Sequence, residues 1–289
     1  MINIKNNLLK KAIEAQKNLY KLKQPKDDFL FYVYNHPEAL YKKAYLNYEK
    51  VLLISGGIDS YIGYYVTKKK YKNIKGLYVN YGYPYAEMEI ETIKNLGIDC
   101  IFKDLSFMKK YQEKGEKYWG EIFPGRNWIL CIIAGELIKQ RGEIWMMAVN
   151  GEVKKKWGDK SEYMLIEGSK ILSKFYKKDI EICVPFSNLT KGQLIELYLK
   201  ENGDIEKLKK TVSCHYINNV NELPCGNCMG CLHRFVAMQR NKIEEEYKIP
   251  KKQVIENTKK LYLPEIENSL SLFSEERKKE IRNAIKSKI

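Results

Sequence analysis

The sequence predicts an α/β protein: a doubly wound, five-stranded parallel sheet with a cysteine-rich segment near its end and helical extensions on both sides. Three observations carry that prediction. Short apolar runs of strand length alternate with longer stretches of helical periodicity, the pattern of βαβ units. The first strong run, Lys50 to Ser55, ends in Ser-Gly-Gly-Ile-Asp-Ser and then resumes as a helix. Four of the seven cysteines fall between Cys214 and Cys231.

In chain order, residues 1–49 read as a helical extension, with Leu8, Leu9, Ala12, Ile13, Leu19 and Leu22 near a 3.6 period. Pro25–Asp28 interrupts it before an aromatic segment. Strands are predicted at 50–55, 74–81, 99–105, 143–149 and 180–186, and helices at 60–70, 84–96, 127–141, 162–177 and 190–200. Pro84 suits the first turn of its helix and Thr190 suits an N-cap. The expected divisions are an extension over 1–49, an α/β domain over 50–201, a cysteine segment over 202–241 and a charged helical tail over 242–289.

The formal net charge is +15, but 45 of the 51 basic residues are lysines spread through the chain. A surface that reads nucleic acid concentrates arginine beside aromatics, so a solvated lysine-rich surface is the better reading. No stretch approaches the roughly 20 apolar residues of a membrane span. The first residues lack the apolar core and cleavage site of an export signal, so a cytoplasmic location is expected.

A strand-to-helix turn at the carboxyl end of a parallel strand points several backbone N–H groups at one spot. Gly56 and Gly57 let that backbone curl toward an anion, and Ser55 and Ser60 add hydroxyls. With Ile58 and Asp59 they form a candidate phosphate cradle, in which a Mg²⁺ ion would reconcile the Asp59 carboxylate with phosphates. The alternative is an ordinary tight turn with capping residues. Neither Gly-x-x-x-x-Gly-Lys-Ser/Thr nor Gly-x-Gly-x-x-Gly occurs, which argues against a kinase-like loop or a dinucleotide fold.

Cys214, Cys225, Cys228 and Cys231 have a spacing that can close around a tetrahedral Zn²⁺, and four thiolates make such a site structural. An iron–sulfur cluster remains open on spacing alone. His215 and His233 are possible substitute ligands, whereas Cys100, Cys131 and Cys183 sit in apolar settings and read as small hydrophobes.

SGGIDS at 55–60 resembles the pyrophosphate loop of the N-type ATP pyrophosphatases, the PP-loop superfamily with an adenine nucleotide alpha hydrolase-like fold. That resemblance implies cleavage of ATP to AMP and pyrophosphate. Together with the cysteine cluster, the loop is similar to that of the 7-cyano-7-deazaguanine synthases. FPGRN at 123–127, VPFSNLTKGQL at 184–194, TVSCHY at 211–216, CGNCMGCLHR at 225–234 and Tyr81-Gly82 extend the likeness over about 50–236. The family activates 7-carboxy-7-deazaguanine with ATP, lets ammonia attack the acyl adenylate, and dehydrates the amide to the nitrile. The resemblance assigns Ser55, Gly56, Gly57, Ile58, Asp59 and Ser60 to pyrophosphate and Mg²⁺. It assigns Asp59, Arg126 and Lys191 to the chemistry, and Tyr81, Trp157 and Asp159 to the substrate.

The sequence also departs from that family. Tyr83-Pro84-Tyr85 stands where Gln-Arg-His is usual, and NGEVKKKWGDKSEY at 150–163 replaces an acidic residue and a Tyr-Pro-Asp-Cys-Arg segment. Alternatives are therefore carried: transfer of the activated deazaguanine to an amine of a protein or nucleic acid, as in antiphage systems; a PP-loop tRNA thiolase using Cys131 or Cys183; or a non-enzymatic nucleotide- and zinc-binding subunit. A homodimer is a further expectation of the resemblance.

Overall fold

The computed structural model describes residues 49–111, 113–114, 121–122, 125–152, 160–217, 219–267 and 273–286. The expected helical extension at 1–49, the FPGRN residues Phe123 and Pro124, and the candidate substrate residues Trp157 and Asp159 lie outside them, Glu49 aside.

Five strands form the main sheet: β1 (Glu49–Leu53), β2 (Ile74–Asn80), β3 (Cys100–Asp104), β6 (Arg141–Trp145) and β7 (Asp179–Cys183), in spatial order β3-β2-β1-β6-β7. Two-residue strands β4 (Glu113–Lys114) and β5 (Glu121–Ile122) pair antiparallel as a separate ribbon. β1 runs parallel to β2 and to β6, and β6 runs parallel to β7. β1 is central, which explains its almost wholly buried run Lys50–Leu53. The chain moves outward from β1 to β3 and then returns to the other side of β1 at β6. The order reverses beside β1, and in open parallel sheets the ligand crevice lies outside the carboxyl ends at such a point.

The helices are α1 (Ile58–Lys68), α2 (Ala86–Asn95), α3 (Arg126–Leu137), α4 (Glu162–Tyr176), α5 (Lys191–Lys200), α6 (Ile205–Lys209), α7 (Met229–Arg240), α8 (Lys251–Glu267) and α9 (Glu275–Lys286). The predicted elements are present with shifted ends. Pro84 is exposed and precedes its helix, because Tyr85 is the N-cap of α2. Thr190 does cap α5, through a complete capping box with Gln193.

The described residues gather into two compact units. One joins the described residues up to Leu53 with Gly63–Leu77 and Gly125–Leu189; the other joins Ile54–Ile62, Tyr78–Pro124 and Thr190–Ile289. In the first, α4 packs on β7 through its serines. Ser169 Oγ accepts the Ile182 N–H at 2.9 Å, and Ser173 Oγ accepts the Ile180 N–H at 3.0 Å, so the outer strand keeps backbone partners on its open edge. Tyr176 donates its hydroxyl to Ile132 O at 2.8 Å and ties α4 to α3.

In the second unit, α7, α8 and α9 enclose a core of Leu232, Phe235, Val236, Val254, Tyr262, Ile266, Ile281 and Ala284. Of the charged tail expected after residue 242, Lys251–Glu267 and Glu275–Lys286 are helical and contribute apolar side chains to that core, whereas 242–250 is non-helical. Among the described residues, no helix is long and apolar enough to cross a membrane.

Candidate functional site

The loop after β1 is closed by its own side chains. Ser60 Oγ accepts the Ser55 N–H at 3.2 Å and donates to Gly57 O at 3.1 Å, while Tyr61 N–H donates to Gly57 O at 3.0 Å and starts α1. Ser60 is buried, so its hydroxyl shapes the loop, whereas Ser55 is exposed and available to a ligand. Gly56 has φ +69°, the left-handed region that favours glycine. Ile58 is 1% exposed, so its side chain belongs to the core and only its backbone faces the turn. The first-turn N–H groups of α1 have no acceptor within the helix, and the helix dipole adds positive potential there.

Two other segments of the same unit meet this loop. The first is the start of α5. Lys191 Nζ lies 2.7 Å from Asp59 Oδ2, with the two side chains 15% and 19% exposed. The tyrosine hydroxyls of Tyr61 and Tyr198 lie 3.1 Å apart and hold α1 against α5. Lys191 is therefore no stray surface lysine: its ammonium is directed into the loop.

The second is the strand of chain leading into the cysteines. Val212 N–H donates to Gly56 O at 3.0 Å, and a Cβ at Gly57 would come within 3.3 Å of Val212 O. Two residues on, Cys214 joins Cys225, Cys228 and Cys231, whose sulfurs all lie within 4.8 Å of one another. A tetrahedral Zn²⁺ with Zn–S bonds of about 2.3 Å sets its sulfurs about 3.8 Å apart. Cys225 Sγ and Cys231 Sγ are 3.8 Å apart. The residues therefore fit such an ion, and four thiolates leave no open position for chemistry.

Backbone N–H groups of Tyr216 and Cys225 donate to Cys214 Sγ at 3.4 Å, and those of Asn227 and Cys228 donate to Cys225 Sγ at 3.3 Å. Hydrogen bonds from Cys214, Cys228 and Cys231 hold the Cys225 thiol far below its usual range. Gly230 lies so close to the Ser213 carbonyl that no Cβ fits between them. His215 and His233 are in ring stacks, on Tyr85 at 5.6 Å and on Tyr262 at 5.5 Å, and among the described residues the cluster that could hold a metal consists of the four cysteines.

Arg234, one helical turn after Cys231, is 3% exposed and anchors this segment. It donates to Thr211 O at 2.7 Å and Thr211 Oγ1 at 2.8 Å, and its Nε reaches both oxygens of Glu245 at 2.8 Å. The sequence reading had no signal for Glu245, because an ion-pair partner at this separation leaves no local pattern.

Tyr81 is 2% exposed and meets Tyr83 edge-on at 6.3 Å. Tyr83 stacks on Tyr85 at 5.3 Å, so Tyr83-Pro84-Tyr85 builds an aromatic column from β2 to the cysteine segment. Arg126 opens α3 in the other unit, directly after Gly125 at φ +74°. The structure thus brings Ser55–Ser60, Lys191 and the four cysteines together, while Arg126 belongs to a separate compact unit. Cys131 and Cys183 are 0% exposed, which leaves no accessible thiol at the two positions a thiolase would use.

The chain is similar to several known proteins. The family model for "Queuosine biosynthesis protein QueC" matches residues 49–242. A 7-cyano-7-deazaguanine synthase of Methanocaldococcus jannaschii is 25% identical over 68% of this chain and 97% of its own. One from Campylobacter jejuni subsp. doylei is 27% identical over 68% of this chain and 96% of its own. Among solved structures, NMN synthetase from Francisella tularensis aligns over 81% of this chain and 88% of its own at 14% identity, with a TM-score of 0.39. The match spans the strands, the glycine loop, Lys191 and all four cysteines, and the chain belongs to the QueC family.

Proposed function

We propose that this protein is an ATP-dependent, AMP-forming synthase that activates the carboxylate of a 7-deazaguanine and passes the acyl group to ammonia. The observation that carries the reading is the Lys191–Asp59 pair set into the glycine loop beside the point where strand order reverses, within a chain of the QueC family. A carboxylate oxygen attacks the α-phosphorus of ATP and pyrophosphate leaves. Ammonia then attacks the acyl carbon, AMP leaves, and the amide forms. A second round, activating the amide oxygen and expelling AMP, yields the nitrile.

Negative charge develops on the departing pyrophosphate, where the loop N–H groups, the Ser55 hydroxyl and the Lys191 ammonium are placed to meet it. Asp59 is the residue of the loop suited to a hard divalent cation such as Mg²⁺, which when bound would neutralise phosphate charge. Arg126 is assigned to a phosphate or the substrate carboxylate, and Tyr81, Trp157 and Asp159 to the deazaguanine. The cysteines hold Zn²⁺ and keep Val212 against the loop.

A second reading keeps the activation and changes the acceptor to a macromolecular amine. It is favoured by the aromatic column at Tyr83–Tyr85, where the family usually has Gln-Arg-His, and by chain outside the matched residues 49–242.

The test is mass spectrometry of the protein incubated with Mg-ATP, 7-carboxy-7-deazaguanine and ammonium. Nitrile or amide with AMP supports the first reading. Label retained only on protein or RNA supports the second. No AMP under any of these conditions would falsify both.

A further inference from the structure

Helix α9 lies beyond the residues that the family model matches, yet it completes the start of α5. Thr190 Oγ1 accepts the Gln193 N–H at 3.0 Å, and Gln193 Oε1 accepts the Thr190 N–H at 3.1 Å. The Thr190 hydroxyl spends its own proton on Glu280 Oε1. Glu280 is 5% exposed, and the same oxygen lies 2.9 Å from Arg240 Nη1. Arg240 also reaches Glu276 at 2.5 Å and Glu196 at 3.1 Å, so one guanidinium joins α7, α5 and α9. Gly192 admits this closeness: a Cβ there would lie 2.9 Å from Glu280 Oε1. Asn241 donates to Gly192 O at 2.9 Å.

Lys191 sits between Thr190 and Gly192, both of which these contacts grip. A helix frays from its ends, and the first turn depends on its cap. Lys191 is in that first turn, and its ammonium must hold a direction toward Asp59 to serve the loop. Burial of Glu280, only partly offset by Thr190 and Arg240, pushes its carboxyl up to about 7. A buried acidic side chain needs polar partners, and here they are the Thr190 hydroxyl and the Arg240 guanidinium.

We propose that Glu280 is a positioning residue for Lys191: through Thr190 and Arg240 it fixes the first turn of α5, which makes the C-terminal helix α9 a working part of the ATP site. This rests on the reading of Lys191 as a pyrophosphate contact.

The experiment measures binding of Mg²⁺-α,β-methylene-ATP to the full chain by calorimetry, beside thermal melting. The variants are Lys191→Ala, Glu280→Ala, Glu280→Gln, Thr190→Val and Ile281→Ala. Ile281 is 1% exposed in the α9 core and serves as the control for mere destabilisation. Lys191→Ala and Glu280→Ala are each expected to weaken binding about tenfold, and the double variant to be no worse than Lys191→Ala alone. Glu280→Gln keeps an acceptor for the Thr190 hydroxyl and is expected to restore most of the affinity. Thr190→Val should match Glu280→Ala, and it carries the test if the latter does not fold. Ile281→Ala should lower the melting temperature and leave affinity unchanged.

Wild-type affinity in Glu280→Ala or Thr190→Val, with Lys191→Ala weakened, would overturn the proposal and leave the reading of Lys191 standing. Equal weakening in Ile281→Ala would overturn it as well, by reducing it to stability. Wild-type affinity in Lys191→Ala removes the reading of Lys191, and the proposal with it.

Discussion

Two lysine–carboxylate pairs in this molecule look alike as chemistry and differ in every circumstance. Lys50, near the amino end of β1, has a fully buried side chain, with Nζ 3.5 Å from Glu143 Oε2; Cα register places the two residues opposite each other. Glu143 accepts the Trp145 Nε1–H at 2.6 Å, and the ring centroids of Tyr71 and Trp145 lie 4.3 and 5.9 Å from Nζ. Lys191 and Asp59 are closer at 2.7 Å and retain 15% and 19% exposure. The first pair sits at the amino end of the strands, where parallel sheets hold no ligand crevice, and is sealed by aromatic rings. The second sits in the turn beyond the carboxyl end of β1, with a glycine backbone around it. A buried ion pair reached by nothing is an architectural element, whereas a short pair left partly open at a strand's carboxyl end is positioned to be met by a ligand.

The sharpest way to break that contrast is to remove the lysines one at a time. Lys50→Ala leaves Glu143 as a buried charge without its ammonium and is expected to cost about 3–5 kcal/mol of stability in chemical denaturation. The folded fraction should bind ATP as before. If Lys50→Ala weakened nucleotide binding at unchanged stability, the architectural reading of the pair would be lost. Lys191→Ala should do the reverse. Loss of charge stabilisation at the departing pyrophosphate is expected to lower kcat/KM for AMP release about 10²–10³-fold. Because that pair is partly open, stability should move by less than about 1 kcal/mol.

Sequence reading found one of these lysines and missed the other, for a physical reason. Lys191 stood out through its neighbours, a capping threonine and a matching segment, but Lys50 looked like any lysine preceding a strand. Its burial comes from residues far along the chain, Tyr71, Glu143 and Trp145, none of which announces a partner locally. The same holds for Thr190 and Glu280, and for Arg234 and Glu245. By contrast, the glycine loop and the cysteines were legible because their chemistry is written in short spacing.

Strand ends were misjudged where apolar burial continues after the ladder stops. Met146–Val149 and Val184–Phe186 fall within the strands expected at 143–149 and 180–186, yet β6 ends at Trp145 and β7 at Cys183. Beyond β7 the chain turns, with Ser187 N–H donating to Val184 O at 3.1 Å and Leu189 N–H to Phe186 O at 2.9 Å. Helix α1 begins at Ile58, two residues before its expected start, because Ser60 folds back on the loop and draws it into the first turn.

The comparison extends to what holds the open pair in place. If the four cysteines hold Zn²⁺ as proposed, chelation should release Cys214 and with it Val212, whose N–H fixes Gly56 O. A displacement of about 1 Å at a reacting site can cost about 10²-fold in rate, so kcat/KM for AMP release should fall on that order after chelation and return with Zn²⁺. Unchanged kcat/KM in the metal-free protein would separate the cysteines from the loop.

The smallest expected effect concerns pH. Glu280 is faced by Thr190 of the α5 start, by Arg240 from α7, and by Glu276 and Arg277 from its own helix, and it lines a small cavity with Lys191 and His233. Arg240 is itself pushed up by Glu276, Glu280 and Glu196 against its burial, while burial pushes the Glu280 carboxyl up to about 7. Both directions hold together because Arg240 is divided among three carboxylates and cannot offset the full desolvation of the most buried one. A carboxyl raised in the folded state contributes stability below its unfolded pKa, and that contribution is lost as pH rises through about 7. Between pH 6 and 8 the wild type should therefore lose about 1.4 kcal/mol that Glu280→Gln does not. If the two proteins show parallel stability profiles, Arg240 holds Glu280 ionised throughout, and the brace on α5 acts as a permanent ion pair like that of Lys50 and Glu143.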